Sequence, residues 1–159
     1  MQQQINIIVE EFTAIDELTF ADRTLLKQAQ QATQLAYAPY SNFKVGAAAR
    51  LNNGSVILGS NQENASYGAT ICAERVLLSN LAMHYPNQAI NTLAISYTRV
   101  DNSNTPVSPC GICRQSLLEH EGLYHQPVKI IMAGQTGAVW IVNSVSSLLP
   151  LAFSNKDLE

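Results

Sequence analysis

The chain's only three cysteines, with the residues beside them, limit how it can fold. Cys72 stands in "TICAERVLLSN", two residues ahead of Glu74, while Cys110 and Cys113 form a C-x-x-C pair directly behind Pro109 in "SPCGICRQSLL". Three thiols cannot all pair with one another as disulfides, so metal binding or catalysis outranks cross-linking. A C-x-x-C pair at a helix start can grip one ion, because the unpaired N–H groups and the dipole there favour thiolate over thiol. With Cys72 as third ligand, the fold must aim two helix N-termini at one point. A hydrolytic zinc site needs that number of protein ligands, since a fourth would close the position that water occupies. Residues i and i+2 of a regular helix do not share a face. Cys72 is therefore expected at the lip of its helix, with Glu74 beside the open position, where a carboxylate can take a proton from water and pass it on.

The remaining pattern supplies elements to carry these residues. Residues 21–37 place Leu25, Leu26, Ala29, Ala32, Thr33, Ala36 and Tyr37 at helical spacing, with Pro39 beyond the end. "FKVGAAARL", the turn "NNG" and "SVILGSN" read as a hairpin. "ICAERVLLSNLAMHY" reads as a second helix, "INTLAISYT" as a buried strand, and Pro109 as part of the first turn of a helix through "CGICRQSLLEH". "PVKIIMAG" and "AVWIVNS" add two strands, and "SVSSLLP" a last short helix. The expectation is a layered α/β fold around a five-stranded mixed sheet: one domain over 21–159, preceded by an extension over 1–20.

Hydrophobic residues make up 47% of the chain and charged ones only 13%, which points to surface covered by subunit contacts. The net charge is -3 with no Lys/Arg cluster, so nucleic acid is not an expected partner. The start lacks a basic signal-type region and no apolar run reaches membrane-spanning length, so a soluble cytoplasmic protein without a membrane partner is expected. A closed structural zinc site would need a fourth ligand; His84, His120 and His125 lie at no recognisable ligand spacing and are assigned no role. Cys-x-Glu followed by Pro-Cys-x-x-Cys instead follows the pattern of zinc deaminases, whose glutamate is not a ligand.

In addition to that pattern, "AYAPYSNFKVGAA", "NQENASYG", "CAER", "SPCGICRQ" and "LLPLAFS", in that order, resemble the small homotetrameric cytidine deaminases of nucleoside salvage with a Cys₃ zinc. The resemblance runs from about residue 21 to Phe153. It implies one Zn²⁺ per subunit on Cys72, Cys110 and Cys113, with Glu74 as the proton carrier. The N–H of Ala73 and the carbonyl of Ser108 would contact the base, and Phe43 would form its aromatic wall. Asn61 and Glu63 would bind ribose hydroxyls; as an Asn-x-Glu pair behind an apolar strand they are expected on one face, although a strand-end cap would also explain them. Phe153 would reach a neighbouring subunit's pocket, and Arg75 and Gln115 would donate to the zinc thiolates and offset their charge. The implied reaction is deamination of cytidine and 2′-deoxycytidine. An aminopyrimidine antibiotic such as blasticidin is an alternative substrate; a base-flipping editor of RNA or DNA is a weaker rival, because the acidic net charge and the lack of a basic strip offer no channel for a strand; and a non-catalytic zinc-stabilised scaffold is the rival from another class.

Overall fold

The computed structural model describes residues 1–158. Its sheet has six strands in the order β1-β6-β5-β4-β2-β3. Five are those read from the sequence: β2 (Lys44–Leu51), β3 (Val56–Ser60), β4 (Ile90–Thr98), β5 (Lys129–Ala133) and β6 (Val139–Val142). The expected five-stranded sheet is corrected by β1 (Glu10–Phe12), which comes from the N-terminal extension and pairs antiparallel with the edge of β6. Only β4 and β5 run parallel; the other pairings are antiparallel, so the sheet is mixed, as expected.

Side-chain alternation sorts the sheet into two cores. Ala47, Ala49, Leu93, Ile95, Ile130 and Met132 face α2 (Ala73–His84) and α3 (Gly111–Tyr124), joining Leu77 and Leu117. Ala48, Ala94, Ile131 and Ala133 face α1 (Phe20–Ala32), joining Leu25, Leu26 and Ala29. The result is three layers, helix on sheet on helix. Each fully buried Leu or Ile in these faces contributes about 1.5–3 kcal/mol relative to exposure. The alanines of β2 and β4 are short enough for the helices to lie close to the middle of the sheet.

Local chemistry sets the element ends. Thr19 caps α1, its Oγ1 accepting from the Asp22 N–H at 3.2 Å. α1 tightens into a 3₁₀ turn over Thr33–Leu35 and stops there, short of Pro39. The β2–β3 turn carries Gly54 at φ 85, the left-handed region that the "NNG" sequence suits. α3 begins at Gly111 with Cys110 as its N-cap, so Pro109 stands two positions ahead of the helix rather than inside its first turn. "SVSSLLP" forms a 3₁₀ turn over Val145–Leu148. No helix among the described residues is long and apolar enough to cross a membrane.

Candidate active site

The parallel β4–β5 crossover and the β3–α2 connection bring the N-termini of α2 and α3 to the same end of the sheet. Cys72 is the N-cap of α2; its carbonyl already accepts from the Arg75 and Val76 N–H groups at 3.1 and 3.0 Å. Cys110 caps α3 in the same way, accepting from the Arg114 N–H at 2.9 Å. Both caps have extended backbone, which turns their side chains off the helix axis toward each other. Gly59 of β3 makes this approach possible, because a Cβ there would lie 2.3 Å from the Ala73 carbonyl oxygen and 2.6 Å from the Leu77 nitrogen.

The Cys72 and Cys110 sulfurs are 3.8 Å apart, the Cys110 and Cys113 sulfurs 3.5 Å, and all three lie within 4.8 Å of one another. A tetrahedral zinc with bonds of about 2.3 Å to sulfur requires ligand sulfurs about 3.8 Å apart. The donor set therefore fits one zinc ion in spacing as well as in chemistry. No other group of three or more Cys, His, Asp or Glu able to hold a metal occurs among the described residues. The sulfurs influence one another: the Cys72 thiol is drawn down to about 6, first by the Cys113 thiol, against burial, with Cys110 and the Arg75 charge assisting. The same pairing pushes Cys113 up.

Glu74 is the second residue of α2 and only 4% exposed. Burial raises its carboxyl to about 7, and the charge of Cys72 adds to this, while its own N–H and the Cys113 thiol oppose. Glu74, Cys72 and Cys110 line one cavity of about 200 Å³ together with Phe43, Val45, Asn61, Ile95, Tyr97, Val107 and Ser108. Its walls are mainly apolar, with a few polar groups among them, as in small-molecule sites generally. Phe43 stacks on Tyr97 with ring centroids 5.0 Å apart. Asn61 accepts from the Val45 N–H at 2.8 Å and donates to the Phe43 carbonyl at 2.9 Å, fixing the backbone that carries the aromatic wall.

Not every expected residue converges here. β3 ends at Ser60, ahead of both Asn61 and Glu63, and the two face different cavities. Glu63 accepts from the Tyr40 N–H at 2.9 Å and from Ser41, beside Tyr67 and Thr70. Ser41 Oγ in turn accepts from the Phe43 N–H at 3.0 Å, so one hydroxyl links the two cavities. Ala73 is fully buried behind the metal corner, at the first position of α2. Arg75 is half-buried and acts on Cys72 through charge, with no hydrogen bond to a sulfur among the described residues. The expected donation from Gln115 to the thiolates is not what the structure has: its Nε2 donates to the Phe153 carbonyl at 3.0 Å. Gln115 and Phe153 line a separate groove of about 320 Å³ along α3. Tyr97 was missed in the sequence; its position two residues after Ile95 on a buried strand was the signal that both face one side.

The fold and the thiolate corner together define a three-layer α/β protein with a mononuclear zinc site beside a buried carboxylate. Residues 20–124 match the cytidine and deoxycytidylate deaminase zinc-binding region, and the chain belongs to that family. It is 42% identical over 134 residues to a cytidine deaminase of Halalkalibacterium halodurans, covering 84% of this chain and 95% of that one. A cytidine deaminase of Mycobacterium tuberculosis is 41% identical over 133 residues, covering 82% of this chain and 87% of the relative. The crystal structure of cytidine deaminase from Burkholderia pseudomallei superposes with a TM-score of 0.71 at 39% identity, covering 86% of this chain and all of that one.

Proposed function

We propose that the protein hydrolyses cytidine and 2′-deoxycytidine to the uridine nucleosides and ammonia, as a soluble cytoplasmic enzyme of pyrimidine salvage. The observation that carries this reading is the pairing of three clustered thiols with buried Glu74 at the end of an apolar, ring-sized cavity. Cys72, Cys110 and Cys113 hold the zinc, which when bound lowers the pKa of water toward neutrality. Glu74 takes one proton from the attacking water and gives it to ring N3 as the water oxygen bonds to C4. It then takes the second proton from that oxygen and carries it to the exocyclic amine, so that the C4–N bond breaks, the C4 carbonyl forms and ammonia leaves. Burial, which pushes its carboxyl upward, suits a group that must both take up and release a proton.

The other residues bind and orient. The Ala73 N–H, unpaired at the start of α2, holds the base carbonyl, and the Ser108 carbonyl accepts from the amine. Phe43, backed by Tyr97, lies against the ring face. Asn61 at the cavity wall and Glu63 beyond Ser41 take the ribose hydroxyls. Arg75 offsets the thiolate charge. Gln115 works on the C-terminal segment, through the Phe153 carbonyl, rather than on sulfur. Phe153 is 60% exposed and lies away from its own chain's cavity, which supports a homotetramer in which it enters a neighbour's site.

The test follows ultraviolet absorbance as purified, zinc-loaded protein meets cytidine, with Glu74→Ala alongside. Loss of the aminopyrimidine signal with wild type, its abolition by chelator, and a zinc-replete but nearly inert Glu74→Ala support the reading. Near-native turnover by Glu74→Ala overturns it.

A further inference from the structure

We propose that Arg114 is a positioning residue of the metal centre, holding the Ser108–Cys110 approach to α3 in place by sharing one guanidinium among three acceptors. The inference rests on the zinc reading above. Residues 103–109 belong to no strand or helix and make no backbone-to-backbone hydrogen bond among the described residues. Side chains hold this stretch instead. Tyr97 donates its hydroxyl to the Thr105 carbonyl at 2.7 Å. At the ligand end, Arg114 Nε donates to the Pro109 carbonyl at 2.8 Å and its second terminal nitrogen donates to Ser108 Oγ.

The remaining nitrogen, Nη1, donates to the Leu148 carbonyl at 2.7 Å. Leu148 ends the Val145–Leu148 turn, which is itself fastened to α3: buried Glu121 accepts from the Val145 N–H at 2.8 Å and from the Ser146 N–H at 3.2 Å. Arg114 thus spans from an anchored point to an otherwise unsupported one. No carboxylate pairs with it among the described residues, so all of its directed bonding goes to these neutral oxygens. Charge-assisted bonds of this kind are stronger than neutral ones, and the rigid planar fork of a guanidinium spreads its donors over three separate nitrogens, as three separated acceptors require. What is fixed is Pro109, the residue before Cys110, and the side chain of Ser108, the residue whose carbonyl the proposed function assigns to the leaving amine, so both the metal and the reacting group depend on it.

Full-length wild type, Arg114→Gln and Arg114→Lys decide the matter. Zinc release is timed with a chromogenic chelator, and the thiolate-to-metal absorption of the cobalt-loaded proteins is recorded beside kcat and KM. For Arg114→Gln with unchanged far-ultraviolet circular dichroism, zinc release is expected at least tenfold faster, with shifted cobalt bands. kcat is expected to fall at least tenfold while KM moves less than threefold. Lysine keeps the charge but gathers its donors on one nitrogen, which cannot span from Pro109 to Leu148 as the guanidinium does, and should fall between wild type and glutamine; if Arg114→Gln does not fold, Arg114→Lys alone carries the comparison. A lowered melting temperature with wild-type release rate and wild-type cobalt spectrum would mean a merely structural arginine and overturns the inference alone. Wild type that takes up no metal overturns the zinc reading and the inference together.

Discussion

Asp22 and Glu74 are each an acid in the first turn of a helix, and each is only 4% exposed, yet their surroundings give them opposite behaviour. Burial alone would raise the Asp22 carboxyl, but it is outweighed. Lys129 Nζ donates at 2.8 and 2.9 Å, Thr19 contributes a further hydrogen bond, and Arg50 lies at 3.4 Å, so the group is held below the usual carboxylate range. No cationic side chain among the described residues donates to Glu74, so burial, the largest influence on it, prevails, the Cys72 charge adds to it, and the carboxyl rises to about 7. Helix position does not decide whether a buried acid stays charged; the balance between desolvation and the donors around it does, and at the more deeply set Glu74 desolvation wins. One acid locks α1 to the sheet, while the other is left free to exchange protons.

The largest test of this contrast removes what surrounds Glu74. Cys110→Ser should abolish stoichiometric zinc and bring turnover to background, read by metal analysis and absorbance, because two remaining thiols cannot grip the ion as three do. Glu74→Gln comes next: it keeps zinc and shape, should lose about 10²–10⁴-fold in kcat, as expected for general acid–base catalysis, and should melt no lower than wild type.

Asp22→Asn reverses the pattern, with activity near wild type and stability lower by about 2–3 kcal/mol in denaturant titration, since it leaves Lys129 and Arg50 without their counter-charge. Because the folded pKa of Asp22 lies below its unfolded value, its contribution is complete above about pH 4 and disappears as pH falls through the folded value. The gap between wild type and Asp22→Asn should therefore be constant near neutrality and close in acid. The smallest effect is expected of Thr19→Ala, about 1 kcal/mol from a lost cap with no change in kcat. A large catalytic loss from either α1 variant would break the comparison.

How much of this was legible depended on whether short-range chemistry or distant packing placed the residue. Cys72, Glu74, Cys110 and Cys113 could be read because ligand spacing and helix starts are local signals. The other five strands, β2 to β6, showed in their alternation and turns. β1 did not, since "EEF" has no apolar alternation and becomes a strand only because the edge of β6 is there to pair with it. Asn61 and Glu63 were expected on one face by strand periodicity, but the strand ends before them and the period no longer applies. Gln115 follows Cys113 by two positions, which on a helix turns it away from the sulfur and toward the tail. Arg114 could not be recognised because its three acceptors include Leu148, far along the chain.

Anyone redesigning this scaffold would find position 59 closed, although it appears in no roll of chemical groups. A single added carbon would prise the opening turn of α2 from its seat, carrying a ligand sulfur and the proton-bearing carboxylate with it. Affinity for the ion and turnover would then fail together, through a residue that touches neither.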